Sequence, residues 1–73
     1  MTTLPRISGR ECAAALQKVG FQLKRRHGSH MIFRRDELFA QVVVPDHPEL
    51  DRGTLRGIIR LAGLSTDEFV NLL

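Results

Sequence analysis

Apolar residues in the first quarter of the chain recur at helical spacing. Cys12, Ala15, Leu16 and Val19 stand at i, i+3, i+4 and i+7, which makes one stripe of a helix. Ser8 and Glu11 open it as a capping box, each side chain placed to satisfy the other's backbone N–H. Gly20 can adopt the left-handed conformation that ends a helix, so the pattern predicts helix over 9–19. The period then changes to two. Phe21, Gln22, Leu23 and Lys24 alternate, predicting a strand over 21–26, a turn at His27-Gly28-Ser29 and a second strand over 30–35. Asp36-Glu37 reads as another turn, and the β-branched run to Val44 predicts a third strand over 39–44. Pro45 cannot donate to a ladder and should end it. After a loop over 46–50, Asp51 is a suitable N-cap for a helix over 52–62. Its stripe is Leu55, Ile58, Ile59 and Ala62, and Gly63 closes it. Ser65 and Glu68 form a second capping box, opening a short last helix with Phe69, Leu72 and Leu73 as its contacts. The first seven residues read as a short arm.

The order is α-β-β-β-α with a short extra helix. Two amphipathic helices can cover one face of three strands, so the fold class is α+β, a two-layer sandwich. Strict alternation would set Gln22, Lys24 and Arg26 on one face of the first strand, and Phe21 and Leu23 on the other. Met31-Ile32-Phe33 is apolar on both faces, which suggests that a partner covers part of the sheet.

The chain has 73 residues, enough for one domain, 1–73. A core of that size supplies only about 3–5 kcal/mol. Cys12 is the single cysteine, which excludes an internal disulfide and fits a reducing cytoplasm. One Cys and three scattered His match no zinc pattern, and no metal or cofactor is expected. No apolar run is long enough for a membrane span, and the N-terminus lacks the apolar core of a signal peptide. The net charge of +3 is modest, but nine of the eleven cations are Arg, whose planar forks suit phosphates.

The chemistry concentrates at Gly28-Ser29-His30, between the basic run Lys24-Arg25-Arg26 and the apolar Met31-Ile32-Phe33. Histidine is the side chain whose unperturbed pKa suits proton transfer near neutrality, and glycine lets a backbone come close. Taken alone, a histidine at a strand start is usually only half-exposed and inert. Lys24, Arg25 and Arg26 cannot all face one ligand, but at least one should flank His30 across the hairpin. Arg52, Arg56 and Arg60 form a stripe at spacing four, equally suited to a solvated face or to RNA backbone. The helix start at Gly53-Thr54 offers backbone N–H groups to a phosphate. Gly28 and Ser29 fit plain hairpin chemistry as well as close approach of RNA. His47 reads as a loop residue before a second proton carrier, His27 as a flanking turn residue, and Cys12 as a buried, inert thiol.

Taken together, Leu16…Gly20-Phe21, Gly28-Ser29-His30, Val44-Pro45-x-His47, Gly53-Thr54-Leu55 and Gly63-Leu64 resemble the HicA family, small toxins of bacterial toxin–antitoxin pairs. The likeness runs from Ser8 to the C-terminus. One departure is Arg52, where the family often has proline. The resemblance implies a double-stranded-RNA-binding-domain-like fold, a metal-independent ribonuclease acting on mRNA, and neutralisation by a HicB-type antitoxin, with any oligomer formed through that antitoxin. The family's functional histidine carries over onto His30, as general base. The expected RNA contacts are Lys24, Arg25, Arg26, Gly28, Ser29, Arg52, Thr54 and Arg56. The rival reading is a non-catalytic RNA-binding module on the same fold. A DNA-binding regulator is a third, with no helix-turn-helix spacing behind it.

Overall fold

The computed structural model describes residues 3–73. Helix α1 (Gly9–Gln17) is followed by strands β1 (Gln22–His27), β2 (His30–Arg35) and β3 (Ala40–Pro45), then α2 (Arg52–Leu61) and the short α3 (Thr66–Val70). The strands form one antiparallel sheet in the order β1-β2-β3. Both α1 and α2 pack against β3 on one side, so one sheet face is covered and the other is open. This is the expected two-layer α+β sandwich.

Local chemistry accounts for the element ends. Ser8 and Glu11 make both bonds of the first capping box, and Ser65 and Glu68 make both of the second. Asp51 caps α2 by accepting from the Thr54 backbone N–H at 2.8 Å. After α1, Phe21 N–H donates to the Leu16 carbonyl and Gly20 N–H to that of Gln17, the paired bonds of a Schellman ending. Leu64 and Gly63 repeat it after α2. Gly20 (φ 95°) and Gly63 (φ 78°) take the left-handed conformation these endings need.

The stripes read from the sequence enter the core: Cys12, Ala15 and Leu16 from α1, and Leu55, Ile58, Ile59 and Ala62 from α2 and its end. Met31 and Phe33 of β2, and Val42 and Val44 of β3, meet them. Phe69 is fully buried. Leu73, expected as a contact of the last helix, is instead 47% exposed. The helix predicted to reach residue 19 stops at Gln17 because the Schellman turn takes up its last carbonyls. The arm is also more than an arm: Leu4 and Ile7 are buried, and Ile7 accepts a bond from Leu50 N–H. Met1 and Thr2 lie outside the described residues.

Two strand ends differ from expectation. Phe21 precedes β1 and is buried beneath the Arg35 guanidinium, 4.8 Å from its ring centre. Phe39 lies outside β3 and is exposed, in the turn where Leu38 adopts φ 55°. Pro45 is the last residue of β3, opposite His30, where its missing N–H costs no ladder bond further along.

A bulge changes the faces of β1. Gln22 and Leu23 pair with Arg34 and Phe33, but the next partners are Arg25 with Ile32, so Lys24 is the extra residue. Directly opposed residues share a face. Arg25 and Gln22 therefore lie on the open face with Ile32 and Arg34. Arg26, opposite Met31, turns to the covered side. The strict alternation that grouped Gln22, Lys24 and Arg26 does not hold, because the bulge shifts the period by one.

Candidate functional site

The β1–β2 hairpin has a two-residue loop. His27 pairs with His30, leaving only Gly28 and Ser29 between them. Gly28 has φ 57° and Ser29 does not have positive φ, the distribution of a type II′ turn, whose twist matches the flanking strands. A Cβ on Gly28 would meet nothing within 4 Å, so the tip is bare. The tight loop fixes what flanks it. His27 and His30 stand directly opposite one another, and both are exposed.

The open face is a three-by-three grid. One row holds His27, His30 and Pro45; the next holds Arg25, Ile32 and Val43; the third holds Gln22, Arg34 and Gln41. Alternation puts His30 on this face, since its neighbour Met31 is buried on the other. Arg25 sits one row away from the two histidines. Among the described residues it has no ion-pair partner, so its guanidinium is free for a ligand. Lys24 and Arg34 are both held by Asp36, at 3.8 and 2.8 Å, at the far end of the face.

Arg26 has a different task. Its Nη2 lies 2.8 Å from Oδ2 of Asp46, and Arg10 Nε of α1 lies 3.2 Å from Oδ1 of the same carboxylate. The Asp46 backbone N–H donates to the Ser29 carbonyl at 2.6 Å. One residue thus ties both ends of the hairpin tip to the start of α1. The side chain of Asp46 is only 12% exposed, and the two arginines hold its carboxyl below the usual carboxylate range. Gly9 completes the junction. Its N–H donates to the His47 carbonyl at 2.9 Å, and there is no room beside it for a side chain.

At the start of α2, Thr54 is engaged twice by Asp51, through its N–H and its hydroxyl, both at 2.8 Å. These bonds hold the Asp51 carboxyl below its ordinary range, with a smaller contribution from nearby His47. A carboxylate already occupies the position where an RNA phosphate was expected. Arg52 and Arg56 are exposed and have no ion pair among the described residues, but they belong to the helical layer, on the other side of the sheet from Arg25. Arg56 lines a shallow hollow between α2 and α3 with Arg60 and Ser65.

The structure thus brings His30, Gly28, Ser29 and Arg25 together. It assigns Arg26 to Asp46 and Thr54 to Asp51, and it separates Arg56 from the open face. His27, expected as a flanking turn residue, is instead the last residue of β1 and the direct strand partner of His30. Burial pushes the Cys12 thiol up to about 12, which keeps it protonated and inert. Among the described residues no group of three or more His, Cys, Asp or Glu could hold a metal ion, and no helix is long and apolar enough to cross a membrane.

The model of the HicA toxin of bacterial toxin–antitoxin systems matches residues 9–64, from the glycine at the start of α1 to the end of the α2 turn. The chain belongs to the HicA toxin family. The match spans the hairpin, the Asp46 junction and the capped α2. Comparison with curated proteins found no match. Membership makes this chain a toxin component, for which a cognate antitoxin is implied.

Proposed function

We propose that this HicA-family chain is a metal-independent endoribonuclease that cleaves mRNA in the cytoplasm, with His30 as general base. The reading rests on one observation: a tight Gly28-Ser29 hairpin presents an exposed imidazole on an uncovered sheet face, one row from Arg25, which has no ion pair among the described residues. His30 takes the proton of a ribose 2′-hydroxyl. The oxygen attacks the adjacent phosphorus, and the bond to the 5′-oxygen breaks, leaving a 2′,3′-cyclic phosphate and a 5′-hydroxyl. The route needs RNA, because DNA lacks the nucleophile. Arg25 binds the phosphate and offsets charge that builds on its oxygens. Gly28 and Ser29 let the RNA backbone close on the turn. Lys24, Arg52 and Arg56 add longer-range attraction for the strand. Arg26 and Thr54 serve the site from behind, through Asp46 and Asp51.

Masking follows from the same face. A HicB-type antitoxin with acidic residues around an apolar anchor would pair with Arg25 and cover Ile32 and Val43, the latter 46% exposed. Any larger oligomer would then assemble through the antitoxin.

Expression of the wild type and His30→Ala in bacteria, read by growth and mRNA integrity, tests the reading. Purified proteins in chelator-containing buffer give the rate. Loss of a general base costs about 10²–10⁴ in rate. If His30→Ala cleaves RNA at the wild-type rate, the chain is a binding module or uses another base.

A further inference from the structure

We propose that His27 is the second catalytic residue, the general acid that protonates the departing 5′-oxygen. This rests on the reading of His30 as the base. In-line displacement at phosphorus sets the attacking and leaving oxygens on opposite sides, so two proton carriers must straddle one phosphate. The two-residue loop supplies that arrangement. His27 and His30 are direct cross-strand partners, and such partners have Cβ atoms roughly 4.5–5.5 Å apart on the same face. Two imidazoles rooted at that spacing can splay to reach both apical oxygens, while Arg25, one row away, holds a non-bridging oxygen.

The surroundings leave the pair free for this work. Both histidines are exposed, and no side-chain hydrogen bond or ion pair engages either among the described residues. The charged groups around them are Arg25 on their own face and Asp46 with Arg10 and Arg26 on the covered side. Asp46 is committed to those two arginines. The third row-mate, Pro45, has no proton to give. His47 is the other imidazole at this end of the molecule, but its carbonyl is bonded to Gly9 and it lies near Asp51 at the start of α2.

The step balances. His30 enters neutral and accepts the 2′-hydroxyl proton as the new O2′–P bond forms. His27 enters protonated and gives its proton to the 5′-oxygen as the P–O5′ bond breaks. The protein ends with His30 protonated and His27 neutral, and exchange with water restores the starting state.

A sulfur leaving group separates the two roles, because a thiolate departs without a proton. An RNA oligonucleotide is prepared with the natural linkage, and again with bridging 5′-sulfur, at the bond that the wild-type protein cuts. His27→Gln should slow the natural substrate by about 10²–10⁴. It should leave the sulfur substrate within a few-fold of wild type. His27→Arg keeps a cation for phosphate but is far too weak an acid to release a proton, so it should hold KM near wild type while kcat stays low. Equal slowing of both substrates by His27→Gln, no slowing of the natural one, or a His27→Arg protein with wild-type kcat would each overturn the assignment. His30→Ala should slow both substrates. If it slows neither, the base assignment fails, and that result is distinct from failure of His27. Thermal melts of each variant confirm that the exposed strand positions tolerate the changes.

Discussion

Gly9→Ala should unseat the start of α1. A Cβ built on Gly9 would stand 1.9 Å from the Pro45 carbonyl oxygen, 2.9 Å from its carbon and 3.2 Å from Asp46 Cα. All three are backbone atoms, so no side chain can swing aside. Ordinary contact begins near 3.4 Å, so the helix start and the end of β3 must part by about 1.5 Å. That movement breaks the 2.9 Å bond from Gly9 N–H to the His47 carbonyl and draws Arg10 away from Asp46. Overpacking of this kind costs about 1–3 kcal/mol, and the lost backbone bond about 1 kcal/mol more. The helix-propensity gain from alanine, at most about 1 kcal/mol, offsets part of it. A net loss of roughly 2 kcal/mol is a large share of the about 3–5 kcal/mol a domain of this size holds. At about 4–8 °C per kcal/mol, the midpoint should fall by about 8 °C or more. Gly57→Ala is the matched control. It lies inside α2 with nothing within 4 Å of the added Cβ, so it should gain about 0.5–1 kcal/mol and melt a few degrees higher. Thermal denaturation by circular dichroism compares the three proteins side by side. A Gly9→Ala midpoint equal to or above wild type would show that the junction is not tight and refute the reasoning.

Acid should weaken the fold through its paired carboxyls. Asp46, held by Arg10 and Arg26, and Asp51 and Glu68, held by their caps, all have folded pKa values below their unfolded ones. Their contribution is fully present above about pH 5 and is lost as the pH falls below that, through the depressed folded values. Denaturation midpoints should therefore be level at mild pH and drop below about pH 5, and Asp46→Asn should both lower the neutral-pH midpoint and shrink the acid drop. An unchanged drop in that variant would mean the Asp46 junction contributes nothing. Cys12 should resist alkylation in the native protein at pH 8 and react at once in denaturant, because its thiol is fully buried and pushed up to about 12. Native labelling as fast as that of a free thiol would contradict the packing of α1. The same group makes stability fall above about pH 8.5, where the unfolded thiol ionises and the folded one does not.

The helical stripes, both capping boxes, the Asp51 cap and the glycines after the two longer helices were legible in the chain because each is written within a few residues. The site was legible in part. Gly28-Ser29-His30 stood out as a glycine turn presenting an imidazole, and the family likeness implied a role for it. What could not be read was a difference of one residue in two places. A three-residue turn leaves His27 as a loop residue, whereas the two-residue turn of the structure makes it the partner of His30. One bulged residue, Lys24, exchanges the faces of Arg25 and Arg26, which decides which cation stands on the open face and which meets Asp46. The side-chain period of a strand is two, so a slip of one reverses every assignment beyond it.

By itself the sequence determined the α-β-β-β-α order, the two-layer class and the glycine turn that presents His30, since periodicity, capping and turn chemistry are short-range. The tertiary structure alone decided which cations remain free. Asp46 lies 20 residues from Arg26 and 36 from Arg10, and Lys24 reaches Asp36 only because β1 and β2 pair. Such pairings arise when the sheet and helices close on one another, so no local pattern could have announced them. Among the described residues they leave Arg25 unpaired, one row from two opposed histidines on an uncovered face.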